Sequence, residues 1–197
     1  MLSCTKTIAT ILALGACFAM AKSAVAADDS SHEYNGPYTG RNLSRVAFPV
    51  GGLGAGMFCL EGTGAISHMS VKHQMEFFHE PTTFAAVCVK GKDGEPNVAR
   101  VLEGPIPEWK YFGRAESGNG SAGSTYGLPR FTGCEFLARF PFATIDLNDE
   151  AVPLAVTLTG WSPFTPGDPD SSSMPLGAIE YTFKNTSDAV QEGIFSF

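Results

Sequence analysis

The chain has little charge, and most of that charge is negative. Lys and Arg together number 13 against 20 Asp and Glu, which gives a formal net charge of −7 over 197 residues. The charged fraction is 17%, whereas about 25% is usual for globular domains. Nucleic-acid-binding domains usually carry a basic patch or stripe, and the sequence contains none. The composition therefore argues against nucleic acid as a partner.

Cysteine is also scarce, with five residues in all. Cys4 and Cys17 belong to the N-terminal segment, and Cys59, Cys88 and Cys134 lie far apart in the rest of the chain. Three cysteines allow at most one disulfide. Because no Cys-x-x-Cys pair is present, a zinc site is not expected. We expect these three side chains to be small buried thiols.

A nucleotide-binding loop is missing despite a glycine-rich run near residue 50. The run contains Gly51, Gly52, Gly54 and Gly56. Phosphate-binding loops end in Gly-Lys-Ser/Thr, and dinucleotide-binding loops follow the pattern Gly-x-Gly-x-x-Gly between a strand and a helix. Neither pattern occurs here. The run instead predicts a tight bend with positive φ at some of the glycines, and we expect no cofactor.

The N-terminal residues 1–26 have the pattern of a secretory signal. A short basic start precedes an uncharged apolar stretch over residues 8–20, and the small residues 24–26 form a cleavage site. The apolar stretch is too short to span a membrane. An alternative is a lipoprotein box ending at Cys17, which would anchor the chain to a membrane if that cysteine is lipidated. Both alternatives predict export to the periplasm or beyond, followed by a flexible lead-in over residues 27–41.

Hydrophobic alternation predicts strands for most of the remaining chain. Apolar and polar residues alternate from Ile179 to Phe183, and Leu154, Val156 and Leu158 share one face of another segment. A period of two is typical of half-buried strands. The strands predicted in this way span residues 65–71, 84–90, 98–102, 131–142, 144–147, 152–159 and 179–184. Asp93-Gly94 predicts a hairpin between the second and third of them.

The fold predicted from these strands is all-β, an antiparallel β-sandwich formed by residues 42–197. No segment favours a helix longer than a turn or two, and the best candidate spans residues 73–79. Residues 116–125 are rich in Ser, Gly and Asn and are expected to form a flexible loop. A new alternating pattern begins at residue 191 and is still in progress at Phe197. We therefore expect the sandwich to be incomplete at its C-terminus.

Candidate chemical groups are few. His68, His73 and His79 are spaced by five and six residues, whereas two ligands on one helix face would be three or four apart, so we expect no metal site. Asp168 and Asp170 lie in a Pro/Ser-rich turn, where Asp side chains usually accept hydrogen bonds from nearby backbone N–H groups. The sequence identifies no catalytic pair among the acidic residues.

Aromatic side chains provide the only substrate-binding candidates. Trp109 and Trp161, with their aromatic neighbours, could belong to the core or could form a platform on which a sugar ring stacks. Trp109 is the better candidate for an exposed platform. The sequence leaves both alternatives open.

Two segments together resemble a known family. One is the glycine-rich run, and the other is a Pro-Phe-x-Pro element followed by an Asp-Ser-Ser-x-x-Pro element and, on the next strand, an Asn. The residues of this second segment that carry the resemblance are Pro163, Phe164, Pro166, Asp170, Ser172, Pro175 and Asn185. Their order and spacing resemble the N-terminal region of glycoside hydrolase family 116, which includes non-lysosomal glucosylceramidases and bacterial β-glucosidases.

The resemblance implies a division of labour between two domains. In that family an N-terminal β-sandwich accompanies a C-terminal (α/α)₆ domain, whose Glu nucleophile and Asp acid/base hydrolyse β-glycosides with retention. No residue of this chain matches either catalytic position, so the chain alone is predicted to be inactive. Its expected partners are the missing catalytic domain and a carbohydrate substrate. The alternative is a stand-alone secreted sandwich that binds glycans or cell surfaces without catalysis.

Overall fold

The computed structural model describes residues 32–76, 79–92, 95–111 and 125–197. Within them the chain is mostly antiparallel β-sheet, with only short helices. The strands are β1 (Ala47–Val50), β2 (Met57–Glu61), β3 (Ile66–Ser70), β4 (Ala86–Val89), β5 (Val98–Val101), β6 (Gly133–Arg139), β7 (Phe142–Asn148), β8 (Leu154–Trp161), β9 (Ala178–Asn185) and β10 (Gly193–Ser196). The helices are a 3₁₀-helix (Gly40–Arg45), α1 (Glu108–Tyr111) and α2 (Pro169–Ser172).

The largest layer is a four-stranded sheet in the order β6-β7-β8-β9. Directly opposed residues on neighbouring strands share a face, so the register defines rows across the sheet. Three such rows on one face, here called the inner face, are apolar: Cys134/Leu147/Val156/Phe183, Phe136/Ile145/Leu158/Tyr181 and Ala138/Ala143/Gly160/Ile179. The opposite face is largely polar. The alternation seen in the sequence therefore sets which side of the sheet is buried.

Two three-stranded sheets, β1-β2-β3 and β10-β4-β5, cover the inner face. Leu60 of β2 fills the space left by the missing side chain of Gly160, where an added Cβ would overlap its Cδ1. From the other small sheet, the Phe195 ring lies 5.4 Å from the ring of Tyr181 and 5.8 Å from that of Phe183. Since both small sheets pack on one face of the larger sheet, the predicted all-β sandwich is confirmed.

The strand predictions hold for most of the chain, with two differences. β4 pairs with β5 as the predicted hairpin, although Asp93 and Gly94 lie outside the described residues. The predicted strand 131–142 is two strands, β6 and β7, joined by a turn at Phe140-Pro141. Strands β1 and β2 flank the glycine-rich run, where the sequence predicted only a bend.

The predicted helix at residues 73–79 is wrong in the part that the structure describes. Lys72 and His73 have positive φ, and Val71 and Gln74 form an isolated bridge, so the chain makes a tight turn here. Residues 77–78 are not among those described. An L-residue with positive φ cannot continue a right-handed helix, which explains the difference.

The range predicted as lead-in contacts the sandwich at Tyr38. Its N–H donates to the carbonyl of Phe136 at 2.7 Å, and its carbonyl accepts the N–H of the same residue at 3.0 Å. The ring of His32 stacks on Tyr38 with 4.1 Å between centroids. The predicted signal, with Cys17, lies in residues 1–31, and most of the predicted loop lies in residues 112–124. Both ranges are outside the described residues. Across the described ranges, no helix has the length and apolar character needed to cross a membrane.

The three cysteines of the sandwich are free thiols. Burial raises the pKa of Cys59 to about 11 and that of Cys134 to about 12. The thiol of Cys134 donates a hydrogen bond to the carbonyl of Gly62 at 3.2 Å. Because the thiolate is the reactive form, Cys59 and Cys134 are packing groups with low reactivity at neutral pH.

Candidate functional site

The two segments singled out in the sequence pack directly against each other. The glycine-rich run connects β1 to β2, and the Pro/Ser-rich segment connects β8 to β9. Leu53 N donates to the carbonyl of Ser172 at 2.8 Å, and Gly51 N donates to Ser162 Oγ at 3.0 Å. A Cβ on Gly52 would overlap the carbonyl of Met174, so only glycine fits there. The two segments form one unit, here called the loop pair.

Asp168 and Ser172 hold the second segment of the loop pair in shape. Asp168 is the N-cap of α2: its Oδ1 accepts Ser171 N at 3.0 Å and its Oδ2 accepts Ser171 Oγ at 2.6 Å. These hydrogen bonds to the carboxylate lower the pKa of Asp168. The buried Ser172 Oγ accepts Thr165 N at 3.0 Å and lies 2.7 Å from the carbonyl of Asp168. The segment is therefore a rigid, internally hydrogen-bonded turn.

The other residues of the second segment have separate positions. Pro163 is buried, whereas Phe164 is partly exposed and packs edge-on against Phe140 with 4.9 Å between ring centroids. Pro166, Asp170 and Pro175 are exposed. Asn185 lies at the far end of β9, where its Oδ1 accepts Ser187 N at 2.9 Å. The fold thus brings the glycines to the Pro/Ser turn but places Asn185 elsewhere, at the turn that follows β9.

Trp109 lines an open groove of about 740 Å³ next to α1. Its indole N–H donates to the carbonyl of Ser44 at 2.9 Å, and the Arg45 guanidinium lies 4.4 Å from the ring centroid. Arg41, Glu108 and Thr63 supply polar groups to the same groove. Trp109 is therefore half-buried and held in place at the wall of a cavity large enough for a small ligand.

Trp161 does not line this groove. It lies on the outer face of the four-stranded sheet, paired with Phe142 of β7, and its indole N–H donates to Glu180 Oε1 at 2.8 Å. The two tryptophans therefore do not build a common platform.

A group of buried, mutually paired charges was not predicted from the sequence. Lys110 Nζ, on a side chain only 4% exposed, donates to both carboxylate oxygens of Glu61 at 2.7 and 2.6 Å and to Glu80 Oε1 at 2.5 Å. Beside them, Arg130 Nε donates to Glu103 Oε2 at 2.9 Å. We call these five residues the ionic cluster. They surround a small cavity of about 40 Å³.

Five separate parts of the fold supply the ionic cluster. Glu61 ends β2, Lys110 lies on α1, Glu103 follows β5, Arg130 precedes β6, and Glu80 belongs to the connection between β3 and β4. Burial raises the pKa of Glu80 to about 7, although the hydrogen bond from Lys110 opposes this shift. Burial also raises the pKa of Glu103 against the opposing effect of Arg130. The cluster thus contains three carboxylates and two cations.

The histidines do not assemble into a site. His68 Nδ1 lies 2.6 Å from Ser67 Oγ, and His79 Nδ1 lies 3.2 Å from Glu76 Oε2. No group of three or more His, Cys, Asp or Glu side chains within the described ranges is placed to hold a metal ion.

An apolar groove of about 750 Å³ lies over β9, between β3 and β10. Its walls come from all three sheets: Phe58, Ile66, Met69, Ile179, Tyr181, Phe183, Phe195 and Phe197. Val156 of β8 is 1% exposed, whereas Phe183, next to it in the same row of the inner face, is 38% exposed. Coverage of the inner face therefore decreases from β8 to β9.

Comparison with known proteins gives one family. The family model described as beta-glucosidase 2, glycosyl-hydrolase family 116 N-term, matches residues 47–194. The matched range includes the loop pair, the ionic cluster and β1 to β9. No curated protein matches the chain.

Proposed function

This chain belongs to glycosyl-hydrolase family 116, whose N-terminal domain it contains, and from that premise we propose its role in the enzyme. It is the non-catalytic β-sandwich of an exported glycoside hydrolase that acts on β-glucosides or related β-glycosides. A separate (α/α)₆ domain carries the Glu nucleophile and the Asp acid/base. The family match over most of the sandwich is the observation that carries this proposal.

The geometry of the ionic cluster supports a non-catalytic role. Glycoside hydrolysis needs two carboxylates on either side of the scissile bond. Glu61 and Glu80 face each other, but Lys110 Nζ lies between them within 2.7 Å of both. The cavity beside them, about 40 Å³, is far below the roughly 300–1,000 Å³ of typical ligand sites. A sugar has no room to reach this pair.

The apolar groove supports contact with a further domain. Exposed apolar patches of this kind usually mark interaction surfaces. The groove is lined by Tyr181, Phe183 and Phe195, and each aromatic residue can bury roughly 150–250 Å². We assign this groove to the contact with the remainder of the enzyme. The sandwich then acts as a clamp on the catalytic domain.

An assay of the chain itself tests the division of roles. The purified, folded chain is incubated with an aryl β-glucoside, beside a complete family 116 β-glucosidase as a positive control. We expect no turnover above the buffer blank. Hydrolysis that the Glu61→Gln substitution abolishes would overturn the proposal, because the sandwich would then contain a catalytic carboxylate. A second test is the coding sequence that follows residue 197, which we expect to encode several hundred residues of helical pattern.

Export is supported by the sequence of residues 1–26 alone. Expression of the full chain in a bacterial host, followed by N-terminal sequencing of the periplasmic product, tests it. We expect a chain that begins at Ala27. A cytoplasmic product that retains Met1 would contradict export, and a lipid-modified Cys17 would favour the anchored alternative.

A second candidate function is glycan binding without catalysis, and the groove beside Trp109 favours it. Ligand sites usually combine apolar and aromatic walls with a few placed polar groups, and this groove has both. Calorimetric titration with β-linked oligosaccharides tests this alternative. Saturable binding that is lost in Trp109→Ala but retained in Trp161→Ala would support it, and absence of binding would contradict it.

A further inference from the structure

We propose that the ionic cluster is a proton-binding site, occupied in the folded chain at mildly acidic pH and empty above neutrality, and that losing the proton weakens the fold. The inference does not depend on the proposed function. It rests on how many charges the cluster contains, how deeply they are buried, and how they are paired.

The charges of the cluster do not balance when all five groups are ionised. Two cations face three carboxylates, and the exposed fractions of the five side chains range from 4% for Lys110 to 13% for Glu80. An unpaired charge in a buried setting is expensive, and such groups usually change protonation state instead. One added proton makes the cluster neutral.

The pairing geometry assigns that proton to Glu80. Arg130 and Glu103 form a one-to-one pair, which leaves Lys110 with two carboxylates. Lys110 Nζ contacts both oxygens of Glu61 but only Oε1 of Glu80. Glu80 is therefore the less fully compensated carboxylate, in agreement with its pKa of about 7. Burial raises the pKa of Glu103 as well, but its one-to-one pair with Arg130 opposes that shift. We therefore assign the proton to Glu80.

The charged groups on the elements around Glu80 determine which protonation state it favours once it is buried. Lys110 of α1 favours the ionised form of Glu80, whereas Glu61 of β2 and Glu103 after β5 oppose it. Arg130, before β6, is compensated by Glu103. Burial, followed by the charges of Glu80, Glu61 and Glu103, raises the pKa of Tyr126, which stays neutral here. The adjacent His79 is partly exposed and pairs with Glu76, away from the cluster.

The direction of the pH effect follows from linkage. In the unfolded chain Glu80 has an ordinary pKa near 4.5, and in the folded chain its pKa is about 7. Between these values the folded chain holds one more proton than the unfolded chain. The contribution of this proton to the free energy of unfolding is therefore fully present below about pH 4.5. It decreases as the pH rises from about 4.5 to about 7 and is lost above that range. For one proton, the unfolding constant rises by up to about tenfold per pH unit.

Urea unfolding of three chains at pH 5, 6, 7 and 8 tests the proposal. The chains are the wild type, Glu80→Gln, and Glu150→Gln as a control at an exposed Glu in the turn between β7 and β8. From pH 5 to pH 7 we expect the unfolding constant of the wild type to rise about 10- to 50-fold more than that of Glu80→Gln. Glu150→Gln should follow the wild type. Equal pH dependence in the wild type and Glu80→Gln would overturn the proposal.

Infrared spectroscopy provides a readout that does not depend on the stability of a variant. The folded wild type should show the carbonyl stretch of a protonated carboxylic acid at pH 5.5, and this band should disappear by pH 8. It should be missing in Glu80→Gln and present in Glu150→Gln. If the wild type shows no such band, no proton is bound and the proposal is wrong. A band that persists in Glu80→Gln but is lost in Glu103→Gln would overturn the assignment to Glu80.

Discussion

The contact between Gly52 and the carbonyl of Met174 predicts a specific cost for adding one methyl group. The atoms nearest to a Cβ on Gly52 are the carbonyl of Met174 and the carbonyl carbon of Ser173, all of them backbone. Backbone atoms cannot rotate away as a flexible side chain could. In Gly52→Ala the two halves of the loop pair must therefore move apart.

The magnitude follows from two contributions. Overpacking of a closely fitted site costs about 1–3 kcal/mol. Separation of the loops also lengthens the hydrogen bond from Leu53 N to the Ser172 carbonyl, now 2.8 Å, and a bond of this kind is worth about 0.5–1.5 kcal/mol. We expect Gly52→Ala to lower the free energy of unfolding by about 2–4 kcal/mol, a large part of the roughly 5–15 kcal/mol typical of a domain.

Two other glycines provide controls that separate crowding from backbone strain. A Cβ on Gly127 or on Gly54 would meet no atom within 4 Å, but Gly54 has a φ of +74°. We expect Gly127→Ala to leave stability unchanged or slightly higher, and Gly54→Ala to cost about 1–2 kcal/mol from the left-handed backbone alone. Urea unfolding measures the stability of the three variants: a shift in the midpoint with an unchanged m-value is a change in the free energy of unfolding. If Gly52→Ala is as stable as Gly127→Ala, the close approach of the loop pair is refuted.

Two further substitutions test the core and the turn. Leu158→Ala removes a fully buried side chain at the centre of the inner face and should cost about 2–5 kcal/mol, seen as a lower melting temperature in scanning calorimetry. Leu53→Ala, at a side chain 55% exposed, should change stability by less than about 0.5 kcal/mol, and equal effects would contradict the assigned core. Ser172→Ala leaves Thr165 N–H without its acceptor and should cost about 1–3 kcal/mol in urea unfolding. The exposed Ser173→Ala is its control, and a similar cost in both would show that the buried hydroxyl has no special role.

The strands that could be predicted from the sequence are those with one face inside and one outside. β9 shows this pattern from Ile179 to Phe183, and the structure places those alternate side chains on the inner face. β2 could not be found in this way, because its last three residues, Cys59 to Glu61, are all buried and the period of two is lost. β1 contains Pro49, which normally argues against a strand. It is tolerated because β1 lies at the edge of its sheet.

Short helices were predictable only from their caps. α2 begins with Asp168 as N-cap and Pro169 as the next residue, a pattern that favours a helix start. The Pro/Ser-rich composition of this segment predicted a turn and not a helix. The helix predicted at residues 73–79 had no comparable cap, and the positive φ at Lys72 and His73 shows that a turn is preferred.

The site features depend on long-range contacts that a local pattern does not contain. The hydrogen bond from Gly51 to Ser162 joins residues 111 apart, and the pair of Lys110 with Glu61 joins residues 49 apart. The close approach at Gly52 involves a backbone carbonyl, which every residue has, so no side chain identifies it in advance. The resemblance linked the two loop segments by order alone, whereas their contact emerges only from the fold.

The apolar groove has a consequence for stability that follows from its burial gradient. The inner-face residues of β9 are as apolar as those of β8, yet Phe183 is 38% exposed and Val156 only 1%. Apolar side chains of β9 are therefore exposed to solvent that a further protein surface could exclude. Burial of that apolar area would be favourable by about 25 cal/mol per Å². A domain that binds the folded sandwich at this groove and not the unfolded chain must raise its stability by mass action. If the catalytic domain binds this groove, as we propose, the sandwich should unfold at a higher urea concentration in its presence than alone. Phe183→Asp should lower the stability of the isolated sandwich, because it removes the ring contact with Phe195, and should also abolish the additional stabilisation by the bound domain.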